Sequence, residues 1–192
     1  MTLLGPVAVL VPVKTFTEAK LRLAPALPPH ARAELARAMA THVVRAAAPL
    51  PTAVVCDDLD VASWARSQGA LVIWEPERGL NRAVEAGVER LGAAGARRVI
   101  VAHGDLPLAP GLAWAARFPG VTLVPDRVDN GTNVICVPPG AGFTFSYGPG
   151  SFARHIADAF LCGLPVRVVR TAGLTHDVDT PADLPAGAGA RR

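Results

Sequence analysis

Four short apolar runs, the valine-rich Val7–Val13 and then Ala53–Cys56, Ala70–Trp74 and Val99–Ala102, are separated by segments of a different period. Leu35, Met39, Val43 and Ala46 recur at helical spacing within His30–Ala48. Leu80, Val84, Val88 and Leu91 do the same within Gly79–Leu91, and Gly92 and Gly95 follow as stop signals. A shorter helix is expected around Val61–Ser67. Strands alternating with helices at such short intervals imply βαβ crossovers and a mainly parallel sheet. The chain therefore reads as α/β.

The pattern changes after Pro110. A short helix (Gly111–Phe118) and a strand (Val121–Val124) are expected next. Asn133–Val137 and Phe143–Tyr147 then read as two strands around Pro138-Pro139-Gly140, a candidate antiparallel pair. Ser151–Leu161 reads as a helix, Val166–Arg170 as a last strand, and Thr180–Leu184 as the start of a terminal helix. With 192 residues, one domain over 1–184 is expected, with 185–192 a frayed Gly/Ala/Arg tail. No internal repeat is visible.

Composition removes several function classes. No apolar run approaches the ~18–20 residues of a membrane span. The N-terminal run lacks a basic flank and meets Lys14 early, unlike a secretory signal. Net charge is +3, with 17 Arg scattered along the chain and aromatics at 5%, so no basic stripe suited to nucleic acid is present. Cys56, Cys136 and Cys162 are an odd number without a CxxC pair. They read as free thiols in a reducing cytoplasm, neither zinc ligands nor a disulfide frame.

Open α/β sheets bind ligands beyond the carboxyl ends of their strands. That rule selects Lys14–Arg22, Asp57-Asp58, Glu75–Asn81 and His103–Pro107. Both lysines of the chain, Lys14 and Lys20, fall in the first segment beside Arg22. Lys is a compact charge suited to phosphate oxygens, although a solvated loop would also hold it. The segment has neither the Walker nor the dinucleotide glycine pattern. Asp105, just past a buried strand and stiffened by Pro107, either caps a turn or offers a hard oxygen to Mg²⁺ beside a triphosphate. In Asp177–Leu184, a helix cap before Pro181 accounts for one of Asp179 and Thr180. It leaves Asp177 or Asp179 as a second candidate magnesium ligand. Gly131-Thr132-Asn133 and Gly148-Pro149-Gly150-Ser151 are either glycine turns with a cap or loops suited to small anions.

Taken in order, Pro12-Val13-Lys14, Ala19–Leu23, Gly79-Leu80-Asn81, Gly104–Pro107, Gly131–Asn133, Phe145–Phe152 and Asp177–Leu184 resemble the guanylyltransferases of deazaflavin coenzyme F-420 biosynthesis. The resemblance covers about residues 7 to 184, with Tyr147 standing where the family usually has Phe. It implies a Rossmann-like nucleotide-diphospho-sugar transferase fold with a small antiparallel part. It also implies transfer of the guanylyl group of GTP to phosphoenolpyruvate or 2-phospho-L-lactate, with phosphoenolpyruvate preferred, and release of pyrophosphate. On the same resemblance Lys14, Lys20 and Arg22 hold the triphosphate, Asn81 lies in the nucleotide pocket, and Asp105 with Asp177 or Asp179 binds Mg²⁺. Thr132, Gly148 and Ser151 bind the phosphorylated three-carbon acid. Lys14, Lys20 and Asp105 are the expected catalytic residues. Asp57, Asp58 and Glu75 are unranked candidates for reading guanine, and none of the five His has to be catalytic. The alternatives are transfer to a sugar phosphate or to molybdopterin, or a regulatory nucleotide-binding module of the same fold. Oligomeric state is open.

Overall fold

A computed structural model describes residues 5–76 and 79–184 of the chain. The expected frayed tail, and two residues inside the segment Glu75–Asn81, lie outside them. The elements run β1 (Val7–Pro12), α1 (Pro29–Ala46), β2 (Thr52–Cys56), α2 (Leu59–Ser67), β3 (Leu71–Trp74), α3 (Leu80–Ala93) and β4 (Arg98–Ala102). They continue with β5 (Val121–Pro125), β6 (Thr132–Val137), α4 (Ser151–Leu161), β7 (Val166–Val168) and α5 (Ala172–Thr175). All strands join one seven-stranded sheet of order β3-β2-β1-β4-β6-β5-β7. The β1–β2, β1–β4, β2–β3 and β5–β7 pairs are parallel, and β6 runs antiparallel to both β4 and β5.

The strand pleat sends successive side chains to opposite faces, and two cores result. Val9, Val11, Val54 and Ile100 pack with Ala36, Ala40 and Val43 of α1 and Val61 and Ala65 of α2. Ala8, Leu10, Val55, Val99 and Val101 pack with Val84, Val88 and Leu91 of α3 and Phe152 and Ala159 of α4. Both faces are covered, so the strands read as continuous apolar runs and do not alternate. The contact of α3 with β1 depends on Gly87, where an added Cβ would lie 2.5 Å from Leu10 Cδ2. Among the described residues no helix is long and apolar enough to cross a membrane.

The later half departs from the sequence reading in three places. Phe143–Tyr147 is not a strand. Both edges of β6 are already taken by β4 and β5, so no edge remains for a hairpin partner. The antiparallel part of the sheet is instead β6 itself. The last strand stops at Val168, and a four-residue helix, α5, follows it. At Thr180 the chain enters only a single 3-10 turn, Pro181–Asp183.

Candidate active site

β1, β2, β3 and β4 end on the same side of the sheet, and the segments leaving β1 and β4, with Leu80 at the start of α3 and Ala36, Met39 and Ala40 of α1, line a cleft of about 450 Å³. Its lining includes Val13, Lys14, Glu18, Lys20, Leu80, His103 and Asp105. A narrower compartment shares Pro12, Val13, Lys14 and Leu80 with it and continues toward Asp57, Glu75 and Gly79.

Lys20 is the centre of the charge arrangement. Its backbone adopts the left-handed conformation, φ 55°, at the entry to the Leu21–Leu23 turn. That conformation is costly for a residue with a Cβ. The side chain is only 11% exposed and donates to Asp105 Oδ2 at 2.7 Å and to Asp179 Oδ1 at 2.8 Å. Burial alone would lower its pKa, and the two carboxylates more than reverse this. Burial would likewise raise the Asp105 carboxyl. Lys20 chiefly, and then His103, outweigh that and hold it below the usual carboxylate range. Lys14 stays exposed at the junction of the two compartments. Arg22 is exposed and lies 3.8 Å from Asp179 Oδ2.

The segment Asp177–Leu184 is fixed by its last carboxylate. Asp183 accepts from the Asp179 and Thr180 backbone N–H groups at 3.0 and 2.7 Å and from the Thr180 hydroxyl at 3.0 Å, and it pairs with Arg127. These bonds and the Arg127 cation keep its carboxyl well below the ordinary range despite burial. Asp183 thus positions Asp179, a role the sequence reading did not assign. Val178 N–H bonds Asp105 O at 3.3 Å, which joins the segment to the β4 loop. Asp177 instead accepts from Asn133 Nδ2 at 3.3 Å. Burial raises its carboxyl, Asn133 relieves part of this, and the charges of Asp105 and Asp179 add to it.

Three carboxylates therefore share one neighbourhood, and Lys20 bridges two of them. Asp105 Oδ1 is buried without a hydrogen-bond partner. Among the described residues no three His, Cys, Asp or Glu side chains are gathered to hold an ion by themselves. Magnesium asks for less, since it takes one or two carboxylates and completes its shell with phosphate oxygens and water. The orphaned Asp105 oxygen and the hard-oxygen donor set fit such an ion.

The remaining expected residues are distributed less simply. Asn81 Oδ1 accepts the Tyr147 backbone N–H at 2.7 Å and so latches the Phe145–Ser151 loop to α3. Thr132 and Ser151 are 2% and 1% exposed, and their hydroxyls turn inward toward His155 and each other. Of the three expected acid-binding residues only Gly148 is exposed; its φ of 118° and the φ of 75° at Gly150 are conformations that favour glycine. Asp58 caps α2 through the Val61 N–H at 2.9 Å, which accounts for it without a ligand. Glu75 contacts Arg90 at 3.5 Å at the wall of the narrow compartment, which Asp57 also lines.

A mostly parallel sheet with lysines and carboxylates gathered at the carboxyl ends of its strands is a fold that solved structures share. One from Desulfovibrio desulfuricans G20, described as a nucleotide-diphospho-sugar transferase, superposes with a TM-score of 0.73 at 16% identity, covering 91% of this chain and 82% of that one. A nucleotidyl transferase from Methanothermobacter superposes at 0.65 with 15% identity, covering 92% and 93%. At the level of sequence, the family model described as "Guanylyl transferase CofC like" matches residues 7–186, and the chain belongs to that family. It is similar to the phosphoenolpyruvate guanylyltransferases of Sphaerobacter thermophilus, 39% identical over 183 residues (91% of this chain, 88% of the relative), and Rubrobacter xylanophilus, 37% identical over 183 residues (91% and 89%).

Proposed function

We propose that this chain joins GTP to phosphoenolpyruvate and releases pyrophosphate, as a step of coenzyme F-420 biosynthesis. The observation that carries the reading is the Lys20 bridge between Asp105 and Asp179 in a cleft that Lys14 also lines. It stands together with relatives named for this reaction. A phosphate oxygen of the acid attacks the α-phosphorus of GTP. The bond from the α-phosphorus to the bridging oxygen breaks, and pyrophosphate leaves with its electron pair. A phosphomonoester has its second pKa near ~6 and is largely dianionic at pH 7, so no side chain has to remove a proton.

The difficulty is to bring two polyanions together. Lys14 and Lys20 supply positive charge where the triphosphate would lie, and Arg22 stands at the outer rim. Asp105 and Asp179 would hold Mg²⁺, which when bound neutralises charge on the α-phosphate and the leaving group. Asp57 lines the narrow compartment past Lys14 and is the carboxylate we assign to guanine's N1–H and amino group. The cytoplasm supplies GTP, and three free thiols suit its reducing conditions.

A panel of GTP, ATP and CTP against phosphoenolpyruvate, 2-phospho-L-lactate, a sugar phosphate and molybdopterin tests the reading, with pyrophosphate release and product mass as readouts. The expected product is the guanosine diphosphate-linked enolpyruvate, formed only while free Mg²⁺ is present. Product from 2-phospholactate alone would correct the acceptor. Activity confined to a sugar phosphate or molybdopterin, or none with any pair, would overturn the reading.

A further inference from the structure

Among the described residues, five buried side-chain atoms lack a hydrogen-bond partner, and three of them belong to one wall of the cleft: His103 Nε2, Asp105 Oδ1 and the Tyr147 hydroxyl. The other two are the Nε atoms of Arg32 and Arg98, whose guanidiniums are bonded through their remaining nitrogens. His103 lines the cleft together with Lys14, Lys20 and Asp105. Its backbone N–H is taken by Asn133 O at 3.0 Å, which fixes the start of the loop but leaves the imidazole free. Tyr147 packs against that imidazole, with ring centroids 4.9 Å apart and planes tilted by 47°. Burial pushes the phenol above its ordinary pKa, so it keeps its proton and remains a donor. As packing alone, two apolar rings would serve this wall better, because they leave no polar atom unpaired. A cluster of unpaired polar atoms beside a cleft calls for a ligand that supplies the partner.

We propose that His103 contacts a phosphate oxygen of the bound nucleotide and that Tyr147 is its positioning residue. A neutral imidazole offers one donor and one acceptor. With the Tyr147 O–H donating to one ring nitrogen, the N–H of the other faces outward as a single donor. In a cleft lined by two lysines the acceptor it meets is a phosphate oxygen. The inference rests on the proposed reaction, which places the triphosphate in this cleft. The hydroxyl and the imidazole do not bond each other in the empty protein, so the pair comes into line when the ligand enters. Tyr147 lies in the irregular segment before α4, where a small shift of its ring breaks no strand or helix.

Tyr147→Phe removes only the hydroxyl. Since that hydroxyl is unpaired in the empty protein, the melting temperature without ligand should be unchanged or higher. Affinity for GTP with Mg²⁺, measured by calorimetry with no acid present, should nevertheless fall roughly 2–10-fold. His103→Phe, which loses a bond to a charged oxygen, should weaken GTP roughly 10–100-fold, and His103→Gln, which returns a donor, should recover part of the loss. The double variant of His103→Phe and Tyr147→Phe should bind GTP no more weakly than His103→Phe alone, because the phenol acts through the imidazole. A Tyr147→Phe protein that melts lower without ligand would show the hydroxyl already paired and overturn the proposal. So would wild-type GTP affinity in the single variants, losses that add in the double variant, or losses confined to KM for the acid. Wild-type protein that binds no GTP would instead remove the functional reading, and this inference with it.

Discussion

The ammonium of Lys20 and the carboxylate of Asp105, 85 positions apart in the chain, meet at 2.7 Å. Lys20 adopts a left-handed backbone conformation at the turn that delivers it, and Asp179 closes on the other side of the same nitrogen. A cation thus already lies between the carboxylates proposed to receive Mg²⁺. When the ion and the triphosphate enter, the ammonium can turn to phosphate oxygens while the carboxylates keep a positive partner. Lys20 would serve both the empty and the loaded site.

Removing that cation should show up first as instability. Lys20→Met leaves Asp105, 23% exposed, without its main counter-charge, at a cost of about 1–3 kcal/mol. Added Mg²⁺ should then raise the melting temperature of the variant more than that of wild type. Equal responses to Mg²⁺ would separate Lys20 from the ion site. Asp105→Asn should lower turnover by orders of magnitude while the far-ultraviolet spectrum is kept.

Lys14 carries no such structural duty. It is exposed where the two compartments meet, so Lys14→Ala should leave the melting temperature near wild type. Loss of one charge-assisted hydrogen bond of about 1.5–3 kcal/mol corresponds to roughly 10–100-fold in kcat/KM for GTP. Wild-type kinetics would make the lysine part of an ordinary solvated face.

β1, β2 and β4 were legible because each is an apolar run buried on both faces, and the rule for strand ends then selected the segments that hold Lys14, Lys20 and Asp105, whereas β3 is an edge strand with Leu71 and Trp74 exposed. The aromatic loop was not legible. Phe143, Phe145 and Tyr147 alternate as a half-buried strand does, yet their rings gather around His155, and side chains take the Ser146 and Tyr147 N–H groups that a sheet would have used. Nor could spacing say which way Thr132 and Ser151 point, since their direction is set by a histidine on another element. The same holds for Asp183, whose grip on Asp179 needs the folded turn.

Base choice separates two adjacent carboxylates. Asp58 is spent on the α2 cap, so Asp58→Ala should cost about 1 kcal/mol of stability and leave nucleotide preference intact. Asp57 lines the narrow compartment, and Asp57→Ala should narrow the preference for GTP over ATP by about tenfold or more without unfolding. Competition assays with the two nucleotides at equal concentration read the ratio directly. An unchanged ratio in Asp57→Ala would move the guanine contact to Glu75 or to the backbone.

His155 also predicts how stability responds to acid. Burial, then the positive charges of Arg154 and His103, lower its pKa from 6.5 to about 4. Between those values the unfolded chain binds a proton that the folded chain refuses. Stability is then highest above the unfolded pKa and falls as pH drops through the window. At about 1.4 kcal/mol per pH unit, this one group removes up to about 3 kcal/mol by pH 4. His155→Gln cannot take up that proton. Its melting temperature should lie below wild type at pH 7.5, and the gap should shrink steadily toward pH 4. Calorimetry of both proteins across the range checks this. A constant gap would mean that His155 is not held neutral in the folded protein and that its Nε2 does not accept the Ser146 N–H.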